Sequence, residues 1–458
     1  MREVRFGPAH VSHFIFKTED ALQMKAPRLR VPHPGPETRV QLERLRGSEG
    51  RAGLSFGMSP DTVVVERALG ASVEDVDGNI FLDFVSGFGS INAGHCHPRV
   101  VEAMREQAGK LHQAMSLGSR VRLDLEEKIL SLVPGPVPKK ILFGTSGSEA
   151  VETAIKLTRR ATGRQEIVGF TGGFHGRTLG ALPFMGSKAQ RAGLGALVPG
   201  ARHVPFPYPY RSPFGTEPEK CAEGTIAYIE EFLKNPVSGW GEVAAILIEP
   251  VQGNGGMIPA PLGFLGALRR LCDRYGVLLI LDEVMSGFAR TGKMFAYQHE
   301  EGVEPDLLVL GKSLSGGLPL SACVAKADIA DASEPGTETG TYAGNVMACA
   351  SGLASIAVYE EENLSERAAK MGDYFLGRLG ELAERHPIVG EVRGRGLMTA
   401  AELVSDRKTR EPLSVAREAS DLALKKGLFL YPGGHYRNVL AFMPPLLIGE
   451  EEIDTAVE

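Results

Sequence analysis

The sequence predicts an α/β protein, with one large domain around a mostly parallel sheet and a smaller α+β domain built from both chain ends. Three observations predict it. Between Val100 and about residue 325, stretches of helical periodicity alternate with short, fully apolar runs, the pattern of buried parallel strands joined by helices. Ahead of that region lies a group of β-formers around an Asp-Gly turn. Behind it, two long helical stretches lead into further strand candidates.

Residues 1–60 are polar and rich in Pro and Arg. Pro27, Pro32, Pro34 and Pro36 break any long helix there, so the segment reads as an arm lying on the body or wrapping a partner. Residues 63–68, 71–76 and 81–84, with a turn at Asp77-Gly78, give a small antiparallel meander. Helices follow at 100–111 and 123–132, then a strand at 140–143 entering a Gly/Ser turn, and a helix at 149–160. Strands are expected at 167–170, 244–248, 277–281, 307–310 and 321–325, with a helix at 263–275. Helices at 343–361 and 365–386 and strands at 397–403, 428–431 and 439–442 complete the chain, which ends soon after Glu450. The divisions are an arm at 1–60, the first part of the small domain at 61–95, the large domain at 96–345 and the rest of the small domain at 346–458.

Composition narrows the function. The 458 residues are 43% hydrophobic and 23% charged, as in an ordinary soluble globular protein and not a disordered chain. Lys and Arg total 50 and Asp and Glu 56, a net charge of −6, without the basic excess of a nucleic-acid or anionic-membrane binder. No apolar run approaches the roughly 20 residues that cross a bilayer. Residues 1–20 hold no apolar core of a secretory signal, so a cytoplasmic location is expected. The five cysteines are widely spaced and read as buried thiols, not as a disulfide or zinc framework, and no metal site is expected.

Three places could carry chemistry. Thr145-Ser146-Gly147-Ser148-Glu149 joins a strand to a helix, and its free N–H groups and hydroxyls suit a phosphate; Ser146 with Glu149 also reads as a helix cap, and the two roles are compatible. Asp282 stands at the C-terminal end of a buried strand, where α/β ligand sites lie, or caps the turn that follows. Lys312 follows the next apolar strand, as a nucleophile with a depressed pKa or as a surface lysine in a mobile loop. Gly311-Lys312-Ser313 is not the tail of a P-loop, because the position of its first glycine holds Asp306. Gly394-Arg395-Gly396 lacks the third glycine of a dinucleotide fingerprint. A phosphate turn, a strand-end acid and a strand-end lysine are together the requirements of pyridoxal phosphate (PLP).

The sequence resembles the class III (subgroup II) PLP-dependent aminotransferases of fold type I, the group of 4-aminobutyrate, ornithine and acetylornithine aminotransferases. The resemblance covers about residues 60–450. It is carried by Leu281-Asp282-Glu283-Val284, Pro305-Asp306, Gly311-Lys312-Ser313 and Gly316-Gly317-Leu318-Pro319-Leu320. It is carried equally by Gly173-Phe174-His175-Gly176-Arg177-Thr178, Ile248-Glu249-Pro250-Val251-Gln252-Gly253 and Gly340-Thr341-Tyr342-Ala343-Gly344-Asn345. It implies that Lys312 joins the cofactor and later moves the substrate proton, and that Asp282 pairs with the cofactor's ring nitrogen. Ser146, Gly147 and Ser148 would hold its phosphate, Phe174 and Val284 would cover the two ring faces, and Thr341 would reach the phosphate in the neighbouring subunit. A homodimer, alone or paired into a dimer of dimers, is therefore implied. His175 would act as a hydrogen-bonder in its loop, and Glu249 as an active-site glutamate or a structural one.

The chain departs from this group at the substrate. Arg177 matches the arginine that takes the carboxylate of 4-aminobutyrate or an equivalent donor. A second arginine, for the α-carboxylate of glutamate, is replaced by Ala441, and its usual glutamate partner by Asn254. Met285 replaces a frequent Gln, and Arg437 is the nearest substitute cation. A site without the second arginine should bind glutamate and 2-oxoglutarate poorly. Phe88 stands where relatives place substrate-facing residues, although core packing explains a Phe equally. The expectation is a PLP-dependent transaminase that takes an ω-amino acid or amine as donor and a 2-oxo acid such as pyruvate as acceptor, by ping-pong kinetics. The alternative is an amino-acid racemase or epimerase of the same fold, some of which share the Pro-aromatic-Pro run seen at residues 204–210. A binding protein that retains the enzyme's shell is a third reading, opposed by the intact Lys312, Asp282 and Arg177.

Overall fold

The computed structural model describes residues 24–54, 62–115 and 117–458. The expectations for residues 1–23 and 55–61 lie outside the described residues.

The central sheet has seven strands in the order Lys139–Gly144, Ser321–Lys326, Leu307–Leu310, Leu278–Asp282, Val243–Ile248, Glu166–Phe170 and Ala201–Val204. Only Ser321–Lys326 runs against its neighbours. Alternation of side chains explains why these runs are apolar throughout. Ile246, Ile248, Leu279, Leu281, Leu308 and Leu310 pack into a core on one face. Ala245, Leu247, Ile280, Leu307 and Val309 pack into a second core on the other, beneath the helix Gly147–Thr162. A strand buried on both faces has no polar side to show.

Both chain ends build the remainder. The meander Val65–Leu69, Ser72–Asp75 and Ile80–Asp83 is antiparallel as expected, and Leu428–Phe429 adds to it in parallel beside Leu82 and Asp83. A second sheet holds Val389–Arg395, Met398–Asp406, Val439–Phe442 and Tyr431–Gly433. The single strand expected at 428–431 is thus two, parted at buried Leu430 and shared between two sheets. The helices Val346–Glu361 and Leu364–Arg385 link the halves.

Several expectations are corrected. The proline-rich arm contains a helix, Pro36–Ser48, because Pro36 occupies its first turn, where a missing N–H is harmless. Its N–H groups at Glu37 and Thr38 donate to the Asp77 carboxylate in the meander's turn, at 2.8 and 2.9 Å. A further helix, Glu450–Val457, follows the last strand. The helices Pro218–Lys234 and Ala416–Lys425 and the strands Ala201–Val204 and Val389–Arg395 are additional to those expected. Cys96 is exposed; the other four cysteines are buried and free as read. Among the described residues, no helix is long and apolar enough to cross a membrane.

Candidate active site

Parallel strands deliver their C-terminal ends to one edge of the sheet, and the candidate residues begin there. Leu281 lies beside Ile248, and Asp282 beside Val309, so Glu249, Asp282 and the segment leading to Lys312 leave three adjacent strands together. Phe174 and His175 follow the strand Glu166–Phe170 on the other flank, and the Thr145 turn follows Lys139–Gly144. This is the crevice in which open α/β sheets hold ligands.

Asp282 is 4% exposed, and one carboxylate oxygen lies 2.8 Å from Nδ1 of His175, itself 3% exposed. The other accepts the Val284 N–H at 3.0 Å. Burial pushes the His175 imidazole down, but hydrogen bonding and charge from Asp282 outweigh it and hold the pKa above the ordinary value. Glu249 accepts two backbone N–H groups, from Phe174 at 2.9 Å and Gly253 at 3.0 Å, and so ties the two loops together. Burial pushes its pKa up to about 7. Glu283, the next residue after Asp282, points into a different setting: it accepts from the Ser286 hydroxyl at 2.6 Å and the Tyr297 N–H at 2.8 Å, a structural use of an acid in the motif.

Lys312 has a φ of +45°, a backbone conformation that side chains other than glycine rarely take. The surrounding chain enforces it. The Ser313 hydroxyl donates to the Gly89 carbonyl at 2.8 Å, and the Tyr359 hydroxyl donates to the Ser313 carbonyl at 2.7 Å. Burial draws the Lys312 amine down to about 8, against Glu249 and Asp282, whose charges raise it; Arg290 lowers it further.

The helix Gly147–Thr162 begins beside these groups. Ser146 is its N-cap and accepts the Glu149 N–H at 3.3 Å, while Glu149 accepts from the N–H and hydroxyl of Thr145 at 2.7 and 2.8 Å. The N–H groups of Gly147 and Ser148 have no acceptor among the described residues, and the positive end of the helix dipole lies with them. A Cβ on Gly147 would come within 3.0 Å of Val284, which therefore packs directly on this turn. The Ser148 hydroxyl accepts the Arg177 N–H at 3.3 Å. Arg177 is exposed, lies 5.5 Å over the Phe174 ring, and has no ion pair among the described residues. Asn254 accepts from the Tyr431 hydroxyl at 2.6 Å, and Phe88 meets the Tyr431 ring edge-on at 5.1 Å between centroids.

These groups fit PLP: unclaimed N–H groups for a phosphate, a buried acid for the ring nitrogen, and an amine of lowered basicity for the aldehyde. Thr341 is not part of this cluster within one chain; it is exposed, and its carbonyl accepts from Gln113 at 2.8 Å. Arg437 is exposed as well. Tyr431 is not among the expected site residues; the sequence offers it only as the last residue of the strand expected at 428–431.

A fold-type-I sheet with such a site defines a PLP-dependent transaminase, and the comparisons agree. The chain belongs to the family described as Aminotransferase class-III, whose profile matches residues 56–458. It is 42% identical over 397 residues to a 5-aminovalerate aminotransferase of Pseudomonas aeruginosa, covering 86% of this chain and 91% of that one. It is 39% identical over 407 residues to an isoleucine 2-epimerase of Lentilactobacillus buchneri, covering 86% and 88%. The fold matches the PLP-bound amine transaminase of an uncultivated Pseudomonas species with a TM-score of 0.81 and 34% identity, over 89% of this chain and 96% of the other. Pyridoxal 5′-phosphate is the cofactor.

Proposed function

We propose that this enzyme moves the amino group of an ω-amino acid or amine to a 2-oxo acid such as pyruvate by a ping-pong mechanism. The observation that carries the reading is the convergence of Glu249, Asp282 and Lys312 at three adjacent strand ends, with Arg177 over the Phe174 ring and without an ion pair among the described residues. When bound, PLP supplies an aldehyde that condenses with amines and a ring that draws electrons from the attached carbon. Gly147 and Ser148 bind its phosphate through N–H groups and the Ser148 hydroxyl, beside the Ser146 cap. Asp282, oriented by His175, holds a proton at the ring nitrogen. Phe174 and Val284 would flank the cofactor's ring. Lys312, its basicity lowered by burial, would take a proton at Nζ from the substrate's amine-bearing carbon and deliver it to the cofactor side, so that the amino group stays with the cofactor. Arg177 takes a substrate carboxylate, and Ala441 offers no second cation.

The active unit in this reading is a cytoplasmic homodimer or dimer of dimers, in which Thr341 of the partner subunit completes the phosphate site. The exposed apolar side chains of Leu111, Met115, Leu117, Leu123 and Tyr342 support a covering subunit. Mixing the holoenzyme with single donors and following its absorbance tests the reaction. 4-Aminobutyrate, 5-aminovalerate or an arylalkylamine should convert the cofactor to its amine form without an oxo acid, and glutamate should do so far more slowly.

A second reading, racemisation of an apolar amino acid, draws support from the similarity to the isoleucine 2-epimerase and from Ala441, since such a reaction needs no acceptor arginine. Loss of optical activity in one amino acid, with no oxo acid added and no amine form accumulating, would favour it.

A further inference from the structure

We propose that Glu338 is a positioning residue for a cofactor site shared between two chains. It clips residues 333–341 along the helix Gly147–Thr162, so that Thr341 is presented to the phosphate held by the partner subunit. The proposal rests on the transaminase reading above, in which Thr341 serves the neighbouring site, and names the device that holds it in place.

Glu338 lies in a loop, yet its side chain is only 3% exposed. Each carboxylate oxygen meets one cation of that helix: Lys156 Nζ at 2.5 Å and a guanidinium nitrogen of Arg160 at 2.8 Å. The same Arg160 nitrogen faces the Ser333 hydroxyl at 2.8 Å and the Thr337 hydroxyl at 2.9 Å. Thr337 closes the turn, donating to the Glu334 carbonyl from its N–H at 3.2 Å and its hydroxyl at 2.8 Å. The loop is thus folded around one guanidinium, and a carboxylate buried this far is costly without its cations.

Residues 149, 156 and 160 are spaced seven and four apart, so they share one face of the helix, opposite the buried Val151, Ala154 and Thr158. The loop follows that face from the last turn to the first, a rise of about 16 Å. At its end, a Cβ on Gly340 would lie 3.5 Å from a carboxylate oxygen of Glu149, the acid that holds the Thr145 turn. Thr341 comes next and leaves the helix. Beyond it, the Asn345 side chain caps the helix Val346–Glu361, accepting from the N–H groups of Met347 and Ala348 at 3.0 and 3.3 Å. The chain is therefore fixed on both sides of Thr341, which stands exposed between Glu338 and Asn345. One helix then serves two cofactors: its first turn binds the phosphate of its own chain, and its last turns hold the loop that reaches the other. Loosening the clip in one chain weakens the site in its partner.

The test follows the loss of PLP from diluted holoenzyme, with the released cofactor collected by filtration. Thr341→Ala should speed release by at least about tenfold, the worth of one hydrogen bond to a charged group. Glu338→Gln and, from the helix side, Arg160→Gln should each speed it about threefold or more, with the mass in sedimentation unchanged. The Arg160 side chain is 40% exposed, so its replacement spares the core if Glu338→Gln does not fold. Either clip variant combined with Thr341→Ala should release PLP within about twofold of Thr341→Ala alone, because the clip acts only through Thr341. Unchanged release in both clip variants, even with a lowered melting temperature, would assign the cluster to stability and overturn the proposal. Effects that multiply in the double variants would overturn it too. Unchanged release in Thr341→Ala would remove the shared site and the clip with it, while a normal donor half-reaction left the transaminase reading intact.

Discussion

Burial and three buried charged groups, two acidic and one basic, set the reactivity of Lys312. Burial is the main reason its amine falls to about 8; Glu249 and Asp282 pull it upward and Arg290 pushes it down. Replacing Glu249 by Gln should therefore lower the Lys312 pKa, and Arg290→Gln should raise it, both readable as the pH dependence of acylation of the cofactor-free protein. The linkage has a definite sign. Unfolded Lys312 holds its proton up to about 10.5, and folded Lys312 releases it near 8, so between these values the unfolded chain binds more protons. Stability of the cofactor-free protein should rise with pH across that window relative to Lys312→Met, and denaturant titrations at several pH values would read it. For turnover, Lys312→Ala should reduce transamination by about 10²- to 10⁴-fold, the range of a lost proton-transfer group. Unchanged turnover in that variant would remove Lys312 from the mechanism.

Elements differ in how plainly the sequence announces them. The apolar runs that became the central strands and the Ser146–Glu149 cap were legible because burial on two faces and helix capping leave local signatures. Asp282 and Lys312 were legible because a charged residue ending such a run has few uses. Residues that act across domains left no such trace. Nothing near Tyr431 points to Asn254, 177 positions earlier. Likewise Arg290, wholly buried, donates to the carbonyls of Leu397 at 3.0 Å and Pro444 at 2.5 Å and to the Asn92 side chain at 2.5 Å, partners that only the fold assembles. Pro36 gives an ambiguous signal, because a proline that stops one helix can start another. The Ser146 cap gives the element-scale prediction: Ser146→Ala should lower stability by about 1 kcal/mol. The rise in melting temperature on adding cofactor should shrink in the same variant, because the same turn supports the phosphate site. A variant with unaltered melting in both respects would deny the turn either role.

The whole molecule places its reactive groups where separate parts of the chain meet. Strand ends of the large sheet supply Asp282, Glu249 and Lys312, while the Arg290 and Arg393 contacts tie them to the C-terminal part of the chain. The proposed dimer extends that logic to a second chain: sedimentation should give twice the mass of one chain, or four times for a dimer of dimers, and Thr341→Ala should weaken cofactor retention without splitting the dimer. A monomer with full activity would refute the shared site. The central claim is narrower, that the amine at position 312 is the one bonded to the cofactor's aldehyde carbon. Borohydride reduction of the holoenzyme followed by peptide mapping tests it directly. The account predicts the cofactor fixed to Lys312 alone; the same label on any other lysine, such as Lys293 or Lys326, would contradict it.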